Sequence, residues 1–390
     1  MAEGLAGLGH EIAVLCQGEQ DEVESLGGVR VYRIRPYQIS RAVGTAPVRF
    51  VNQCFAIHNP FVASQVRRVL DDFRPHVCHL QMLRRLTPAV VAASRHWPEV
   101  AVVQTVHELF SLWNFNAFQY EDSPGKIYTS RPLIVGIFKW RHRLLSARVD
   151  HLCAPSAFAL TAYQDDGYFD GVPSSVMPPG VPSLWGDPEK VAAARHAALG
   201  RDAVTSYLFI GRLDFYKGVD LLLDVMATLP NPLIRLDIAG DGPMVPAVQA
   251  RAKQDQRIVF HGPVENSRKR ALFLRADVLV CPSTWVETFG LVIAEAYACA
   301  MPCIVSRVGA LAELVEDGVT GIVVEAGSAS QLRNAMLALC DSARREPMIN
   351  RCAVRAEAFR LETFIERQIA VYGAALARRA SACRCGAQRR

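Results

Sequence analysis

Two cations lie in one short, glycine-bounded segment, Gly211-Arg-Leu-Asp-Phe-Tyr-Lys-Gly218. Glycine lets a backbone approach a ligand closely, and a pair of fixed cations such as Arg212 and Lys217 suits a diphosphate. A capped turn with two solvated cations is the alternative interpretation. The segment alone leaves both open.

Two glutamates flank the start of an apolar helix that follows this segment in the chain. Glu287 precedes the turn, and Glu295 lies within Leu-Val-Ile-Ala-Glu-Ala-Tyr-Ala. The amides of Gly290, Leu291 and Val292 would favour an anion at the helix start. A solvated helix face is the ordinary explanation of such a pair, but a lone carboxylate on an apolar helix is costly without a partner or ligand.

These residues must be positioned by βα units, because short apolar runs alternate with amphipathic stretches along the chain. We predict an α/β protein with two doubly wound, Rossmann-like domains and a ligand-binding crevice between them, outside the carboxyl ends of the strands. First-domain strands are predicted at Ile12–Cys16, Val29–Arg33, Val77–Leu80, Val100–Thr105 and His151–Ala154. Second-domain strands are predicted at Ser206–Ile210, Ile234–Ala239, Ile258–His261, Val278–Cys281, Cys303–Ser306 and Gly321–Val324. Helices are predicted at Phe61–Phe73, about 131–148, Asp220–Thr228, Ser267–Arg275 and Leu291–Ala298.

The proline-rich segment Val176–Pro182 separates the two domains, because neither helix nor sheet continues through it. We place the first domain at residues 1–178 and the second at 183–355. A C-terminal helix at 356–378 is expected to return to the first domain, followed by a tail at 379–390.

Composition excludes several classes of protein. With 51% hydrophobic and 21% charged residues among 390, the chain is neither disordered nor fibrous. A net charge of +5 does not argue for nucleic acid, and we predict no nucleic-acid partner. No apolar run is long enough for a transmembrane helix, and no signal peptide is recognisable. The eleven cysteines follow neither a disulfide framework nor a zinc spacing, so we expect reduced thiols, a cytoplasmic location and no metal.

Taken together, the motifs resemble those of the retaining, GT-B-fold glycosyltransferases of family four, also called group 1. The family pattern runs G-R-L-x-x-x-K-G, a G-x-G-P turn, P-S-x-x-E-x-F-G-x-x-x-x-E-A and E-L-V-x-D-G-x-T-G. This sequence supplies all four in order and at near-normal spacing, ending at Glu313–Gly321. The similarity is strong over about 205–325 and weaker before it.

The resemblance implies a donor site for a nucleotide-diphosphate sugar in the second domain and an acceptor side in the first. Arg212 and Lys217 match the diphosphate clamp, which takes the place of a metal. Glu295 matches the carboxylate that binds the ribose hydroxyls, and Glu287 the one that faces the donor sugar. The other implied donor-binding residues are Gly211, Gly240, Gly242, Val264, Phe289, Gly290, Leu291 and Val292.

In the first domain His107 matches the family's strand-end histidine, which contacts the transferring sugar. A hydrogen-bonded structural histidine is the alternative. The implied catalytic residues are therefore Glu287, His107, Arg212 and Lys217. The resemblance also implies retention of anomeric configuration without cofactor or metal, by front-face attack, since no matched residue takes the role of a nucleophile.

Several positions depart from the family pattern. Pro179 replaces the polar residue before Gly180, and Pro182 follows, which predicts a stiffer hinge. Ala300 and Ala310 replace glycines, and we expect modest effects on the backbone there. The family also begins with a strand and a glycine loop, whereas this chain begins at what matches the end of the following helix, Leu5–Gly9. We therefore expect an absent first strand and glycine loop, with an exposed sheet edge or gap, or a start site placed too late.

A basic segment in the first domain, Lys139-Trp-Arg-His-Arg143, is interleaved with Phe138, Trp140, Leu144 and Leu145. Peripheral contact with an anionic membrane that carries a lipid-linked acceptor is one interpretation. A packed helix with a solvated basic edge is the other.

We therefore predict a glycosyltransferase that moves a sugar from a nucleotide-diphosphate donor to a glycan, a lipid-linked glycan or a small acceptor, as in polysaccharide assembly. The alternatives are a catalytically impaired nucleotide-sugar-binding protein, a GT-B sugar-nucleotide epimerase and a disaccharide synthase. Donor base, sugar, acceptor and oligomeric state are not readable from the sequence.

Overall fold

The computed structural model describes residues 1–35, 59–81, 89–109, 132–182, 186–199, 204–229 and 232–387. The chain divides into two compact units. The first comprises residues 1–177 and 365–390, and the second comprises residues 178–364.

The described strands of the first unit form two sheets. One has the order β1-β3-β2, in which β3 pairs parallel with β1 and antiparallel with β2; the other, β4-β5-β6-β7, is parallel. The strands are β1 (Ala13–Gln17), β2 (Glu22–Leu26), β3 (Val29–Ile34), β4 (Val77–Leu80), β5 (Ala101–Thr105), β6 (His151–Ala154) and β7 (Ser174–Val176). The helices are α1 (Ala2–Gly7), α2 (Pro60–Phe73), α3 (Ala89–Ser94), α4 (Pro132–Ser146) and α5 (Ala157–Asp165).

The second unit is built on a parallel sheet of order β10-β9-β8-β11-β12-β13. Its strands are β8 (Thr205–Ile210), β9 (Ile234–Ala239), β10 (Ile258–Phe260), β11 (Val278–Cys281), β12 (Cys303–Ser306) and β13 (Gly321–Val324). Its helices are α6 (Pro188–Ala198), α7 (Val219–Thr228), α8 (Val245–Gln254), α9 (Asn266–Arg275), α10 (Leu291–Ala298), α11 (Leu311–Leu314), α12 (Ala329–Ala338) and α13 (Ser342–Ala356). The last helix, α14 (Leu361–Ala387), begins in the second unit and continues into the first.

Apolar side chains cover both faces of this sheet, which is why its strands are continuous hydrophobic runs. Along β8, Tyr207 and Phe209 belong to a core cluster on one face, whereas Leu208 and Ile210 belong to a cluster on the other. Burial on both faces is typical of a doubly wound parallel sheet. The α/β fold with two Rossmann-like domains is confirmed.

The order of strands reverses beside β8. After β8 the chain proceeds outward through β9 and β10, and it then returns to place β11 on the other side of β8. This is a topological switch point, and ligands bind at the carboxyl ends of the strands at such points. The loops after β8 and β11 therefore form the candidate ligand-binding edge of this sheet.

The described first unit and C-terminus contain elements that the sequence analysis did not predict. The described strands of the first unit form two sheets, with β1 and β4 at sheet edges. The sequence analysis overlooked β2, because it is charged and exposed, although Gly27-Gly28 between β2 and β3 is a two-residue hairpin signal. The expected tail after residue 378 is helical through Ala387.

The two alanines that replace family glycines differ in backbone conformation. Ala300 has a left-handed φ of 49°, at a cost of about 1 kcal/mol relative to glycine. Ala310 has a φ of −72°, which any residue adopts. Only the first replacement therefore strains the backbone.

Candidate active site

The loops after β8, β9 and β11 are joined by backbone hydrogen bonds. Leu213 N donates to Asp241 O (2.8 Å) and Met244 N donates to Leu213 O (3.0 Å), which connects the first two loops. Thr284 N donates to Tyr216 O (2.9 Å), which connects the first loop to the third. The polypeptide itself thus fixes the relative placement of the three loops.

Asp214 orients Arg212 and begins the short 3-10 turn that carries Lys217. Asp214 Oδ2 accepts from Arg212 Nε (3.2 Å), and Asp214 Oδ1 accepts from Phe215 N (2.9 Å). The Arg212 side chain is 49% exposed, and within the described residues only its Nε has a hydrogen-bond partner. Its two terminal nitrogens are therefore available to an anion.

An ion pair between Lys217 and Glu287 spans the switch point. Lys217 Nζ donates to Glu287 Oε1, which also accepts from Ser283 Oγ at 3.0 Å. Ala310 N donates to the backbone oxygen of Glu287 (2.9 Å) and holds the loop from its other side. The two charged side chains keep 26% and 20% of their surface exposed, so a ligand can reach both.

Helix α10 begins directly after this loop, at Gly290. Gly290 has a left-handed φ of 108° and provides no side-chain cap for the first amides of the helix. Uncapped amides at a helix start suit an anion, in keeping with the roles predicted for Gly290 and Leu291.

Three of the predicted donor-binding residues pack against the protein core. Phe289 is buried and meets Phe359 edge to face at 5.9 Å, while Val264 and Val292 pack partly buried against the same cluster. The side chain of Phe289 is therefore committed to the core, whereas Val264 and Val292 keep part of their surface exposed.

Glu295 lies on the buried side of α10. Lys269 Nζ on α9 is 2.5 Å from Glu295 Oε1, and Glu295 Oε2 has no hydrogen-bond partner among the described residues. Burial raises the pKa of this carboxyl, and the Lys269 ammonium opposes that rise. The buried carboxylate that we expected to need a partner therefore has one, the Lys269 ammonium, at one of its two oxygens.

Predicted donor-site glycines contact other loops. A Cβ at Gly240 would lie 1.8 Å from Gly211 O, and a Cβ at Gly242 would lie 2.4 Å from Leu213 O. At these two positions the absence of a side chain allows one loop to approach another closely.

His107 follows β5 in the first unit and belongs to a chain of hydrogen bonds. Its Nε2 is 2.6 Å from Gln81 Oε1, and Gln81 Nε2 is 3.0–3.1 Å from the ring nitrogens of His79. His79 also bonds the hydroxyls of Tyr372 and Thr105, each at 2.7 Å. Burial lowers the pKa of His79 to about 3 and also lowers the pKa of His107, so both rings are neutral at pH 7. A neutral His107 suits hydrogen bonding to a hydroxyl better than pairing with a phosphate.

Sequence reasoning missed four residues that hold the predicted ones: Asp214, Gln81, Lys269 and Ser283. Gln81 could have been found, because it follows the carboxyl end of β4 as His107 follows that of β5. Lys269 carried no such signal, because it lies within a helix 26 residues before Glu295.

Within the part of the chain that the structure describes, no group of three or more His, Cys, Asp or Glu residues could hold a metal ion. No described helix is both long and apolar enough to cross a membrane.

Two families match the chain, one over each half. The family described as "Glycosyl transferase 4-like domain" matches residues 1–180, and "Glycosyl transferases group 1" matches residues 205–342. Each half of the chain therefore carries a glycosyltransferase domain. The second match contains the whole Arg212–Lys217–Glu287–Glu295 arrangement.

One relative resembles the chain over most of its length. An uncharacterised glycosyltransferase of Methanocaldococcus jannaschii is 27% identical over 341 residues, which is 83% of this chain and 79% of the relative. Among eight curated relatives, the share of their own length that the chain spans runs from 35% to 79%.

Solved structures share the GT-B fold of this glycosyltransferase. Sucrose-phosphate synthase from Thermosynechococcus elongatus superposes with a TM-score of 0.74 at 21% identity, covering 96% of this chain and 92% of that one. HepE from Anabaena, in complex with UDP, superposes with a TM-score of 0.62 at 18% identity, covering 93% and 98%.

Proposed function

We propose that this glycosyltransferase moves a sugar from a nucleotide-diphosphate donor to a glycan, a lipid-linked glycan or a small acceptor, with retention of anomeric configuration. The observation that carries the proposal is the Lys217–Glu287 pair at the switch point, beside an Arg212 with open terminal nitrogens. The UDP complex of HepE supports a nucleotide donor, as does the group 1 match.

In this proposal Arg212 and Lys217 hold the diphosphate and stabilise the charge that grows on it as the bond to the sugar breaks. Two cations fixed in place by the polypeptide stabilise such charge without reorganising during the reaction. Lys217 would exchange part of its contact with Glu287 for the phosphate oxygens. The donor sugar would then lie next to the Glu287 carboxylate.

Front-face attack is the route to retention that fits Glu287 best. A double displacement needs a carboxylate nucleophile at the anomeric carbon. Glu287 Oε1 is bound by both an ammonium and a hydroxyl, which lowers its nucleophilicity. We therefore assign Glu287 to binding the sugar, and propose that the acceptor proton passes to the departing phosphate, without a metal or cofactor.

A donor panel tests this function. The chain is incubated with UDP-, GDP- and ADP-sugars, with and without glycan acceptors, and nucleoside diphosphate release is measured. We expect release from one nucleotide class, stimulated by an acceptor, and a product with the anomeric configuration of the donor by NMR.

Other outcomes of the panel identify the alternatives. Donor binding without release, unaffected by Glu287→Ala, indicates a nucleotide-sugar-binding protein. An inverted product contradicts front-face attack, and a changed sugar without transfer indicates an epimerase.

We further propose that α4 contacts an anionic membrane surface on the cytoplasmic side. Phe138 is buried, whereas Ile137, Trp140 and Leu144 are 44%, 61% and 51% exposed and follow one another at helical spacing. This stripe is the part of α4 that can enter a lipid interface. Lys139 and Arg143 both pair with Asp166, which moderates their attraction to anionic lipid.

Vesicle flotation tests the α4 surface. We expect more binding to anionic than to neutral vesicles, and a loss of about threefold or more in the bound fraction for Trp140→Ser/Leu144→Ser. Val354→Ser, which changes a 73% exposed apolar residue of the second unit, is the control and should bind normally. Equal binding to both kinds of vesicle would leave the solvated-edge interpretation.

A further inference from the structure

One carboxylate of the second unit is almost fully buried, and among the described residues only one of its two oxygens has a hydrogen-bond partner. Glu295 is 6% exposed, and its Oε2 is buried without a hydrogen-bond partner among the described residues. A carboxylate oxygen only accepts hydrogen bonds, and leaving one buried and unpaired is costly. The unpaired oxygen therefore points to a ligand that donates a hydrogen bond, such as a hydroxyl group.

The other oxygen is held from a different helix. Lys269 Nζ on α9 lies 2.5 Å from Oε1, and the Lys269 side chain is 23% exposed. One strong, charge-assisted contact selects a single rotamer of Glu295 and leaves Oε2 as the acceptor that remains. Lys269 thus holds Oε1, leaves Oε2 as the remaining acceptor, and opposes the effect of burial on the pKa of the carboxyl.

We propose that Lys269 is a positioning residue, which holds Glu295 so that Oε2 binds a ribose hydroxyl of the donor, and that it thereby sets a preference for ribonucleotides over 2′-deoxyribonucleotides. The inference rests on the proposed function. A charged acceptor forms a hydrogen bond roughly twice as strong as a neutral one, so the preference depends on keeping Glu295 ionised.

The charges around Glu295 are few. Among the described groups, the ones that interact with it electrostatically are Lys269 on α9 and the Cys299 thiol at the end of α10. Burial raises the pKa of Cys299 to about 12, so this thiol is neutral between about pH 6 and 8.5. Lys269 is therefore the charge that offsets the effect of burial on the Glu295 carboxyl.

The experiment measures affinity for uridine, guanosine and adenosine diphosphates, each alongside its 2′-deoxy counterpart, from pH 6 to 8.5. For the nucleotide that binds, we expect Lys269→Met to weaken ribonucleotide binding about tenfold while leaving the deoxy form nearly unchanged. Without the ammonium, the pKa of Glu295 rises further. Affinity of the variant should then fall at a higher pH than that of the wild type as the pH is lowered.

Two further variants test whether the effect depends on the positive charge at residue 269 and whether it depends on the position of the lysine. Lys269→Arg restores the charge and should recover most of the ribose preference. Lys190→Met removes an 86% exposed lysine of α6 and should match the wild type. If Lys269→Met fails to fold, Lys269→Met/Glu295→Gln removes both charges together and should still lose the preference.

The outcomes distinguish this inference from the function on which it rests. If Lys269→Met or the double variant keeps the wild-type preference, or if Lys269→Met keeps the wild-type pH profile, the inference is overturned. If the wild type binds none of the ribonucleoside diphosphates, the proposed function itself fails.

Discussion

Replacing Lys217 by alanine is expected to lower kcat/KM for the donor by about 10²–10³-fold. In the proposed site the ammonium stabilises charge that develops on the leaving diphosphate, and among the described residues no other cation forms an ion pair with Glu287. The loss should appear in both kcat and nucleoside diphosphate affinity, because the diphosphate is bound before and after transfer. Steady-state kinetics together with calorimetric titration measure the two effects.

The structural cost of this substitution should be small. Glu287 keeps its contact with Ser283 and a fifth of its surface in solvent, so we expect a loss of about 1 kcal/mol in unfolding free energy. Lys253→Ala, an exposed lysine of α8 in the same unit, is the matched control. A Lys217→Ala enzyme within about threefold of the wild type in both kcat and affinity would contradict a diphosphate role.

The sequence predicted the strands of the second unit well because those strands are buried on both faces. Ile234–Ala239, Val278–Cys281 and Gly321–Val324 have the predicted bounds, since a parallel strand under two helical layers is a continuous apolar run. Strand β2 lacks that pattern. It is an exposed antiparallel edge rich in glutamate, so hydrophobicity gives no sign of it.

The sequence indicated which residues are candidates for the site, but it did not indicate which side chains contact one another. Residue type and spacing indicated that Glu295 needs a partner or a ligand. The identity of the partner depends on which turn of α9 faces α10, and neither helix specifies that alone. The same holds for Gln81, whose contact with His107 requires β4 and β5 to be neighbours.

Gly240→Ala is expected to destabilise the second unit by about 4 kcal/mol or more. The added Cβ would lie 1.8 Å from Gly211 O, at a backbone φ of 142°, and the neighbour is main chain and cannot rotate away. Gly240 N also donates to Gly262 O and Gly211 N to Ala239 O, so movement of either glycine disturbs the strand ends. Urea unfolding followed by far-UV circular dichroism and tryptophan fluorescence measures the loss.

Gly327→Ala separates the clash from the cost of the backbone conformation. Gly327 has a positive φ of 78° with nothing within 4 Å of an added Cβ, so alanine there should cost only about 1–2 kcal/mol. The excess cost at Gly240 measures how tightly the β8 and β9 loops are joined. Because the β8 loop carries Arg212, the folded fraction of Gly240→Ala should also bind nucleoside diphosphate more weakly. Equal stability losses at the two glycines would mean that the loops yield easily, and the glycine at 240 would then need a ligand to explain it.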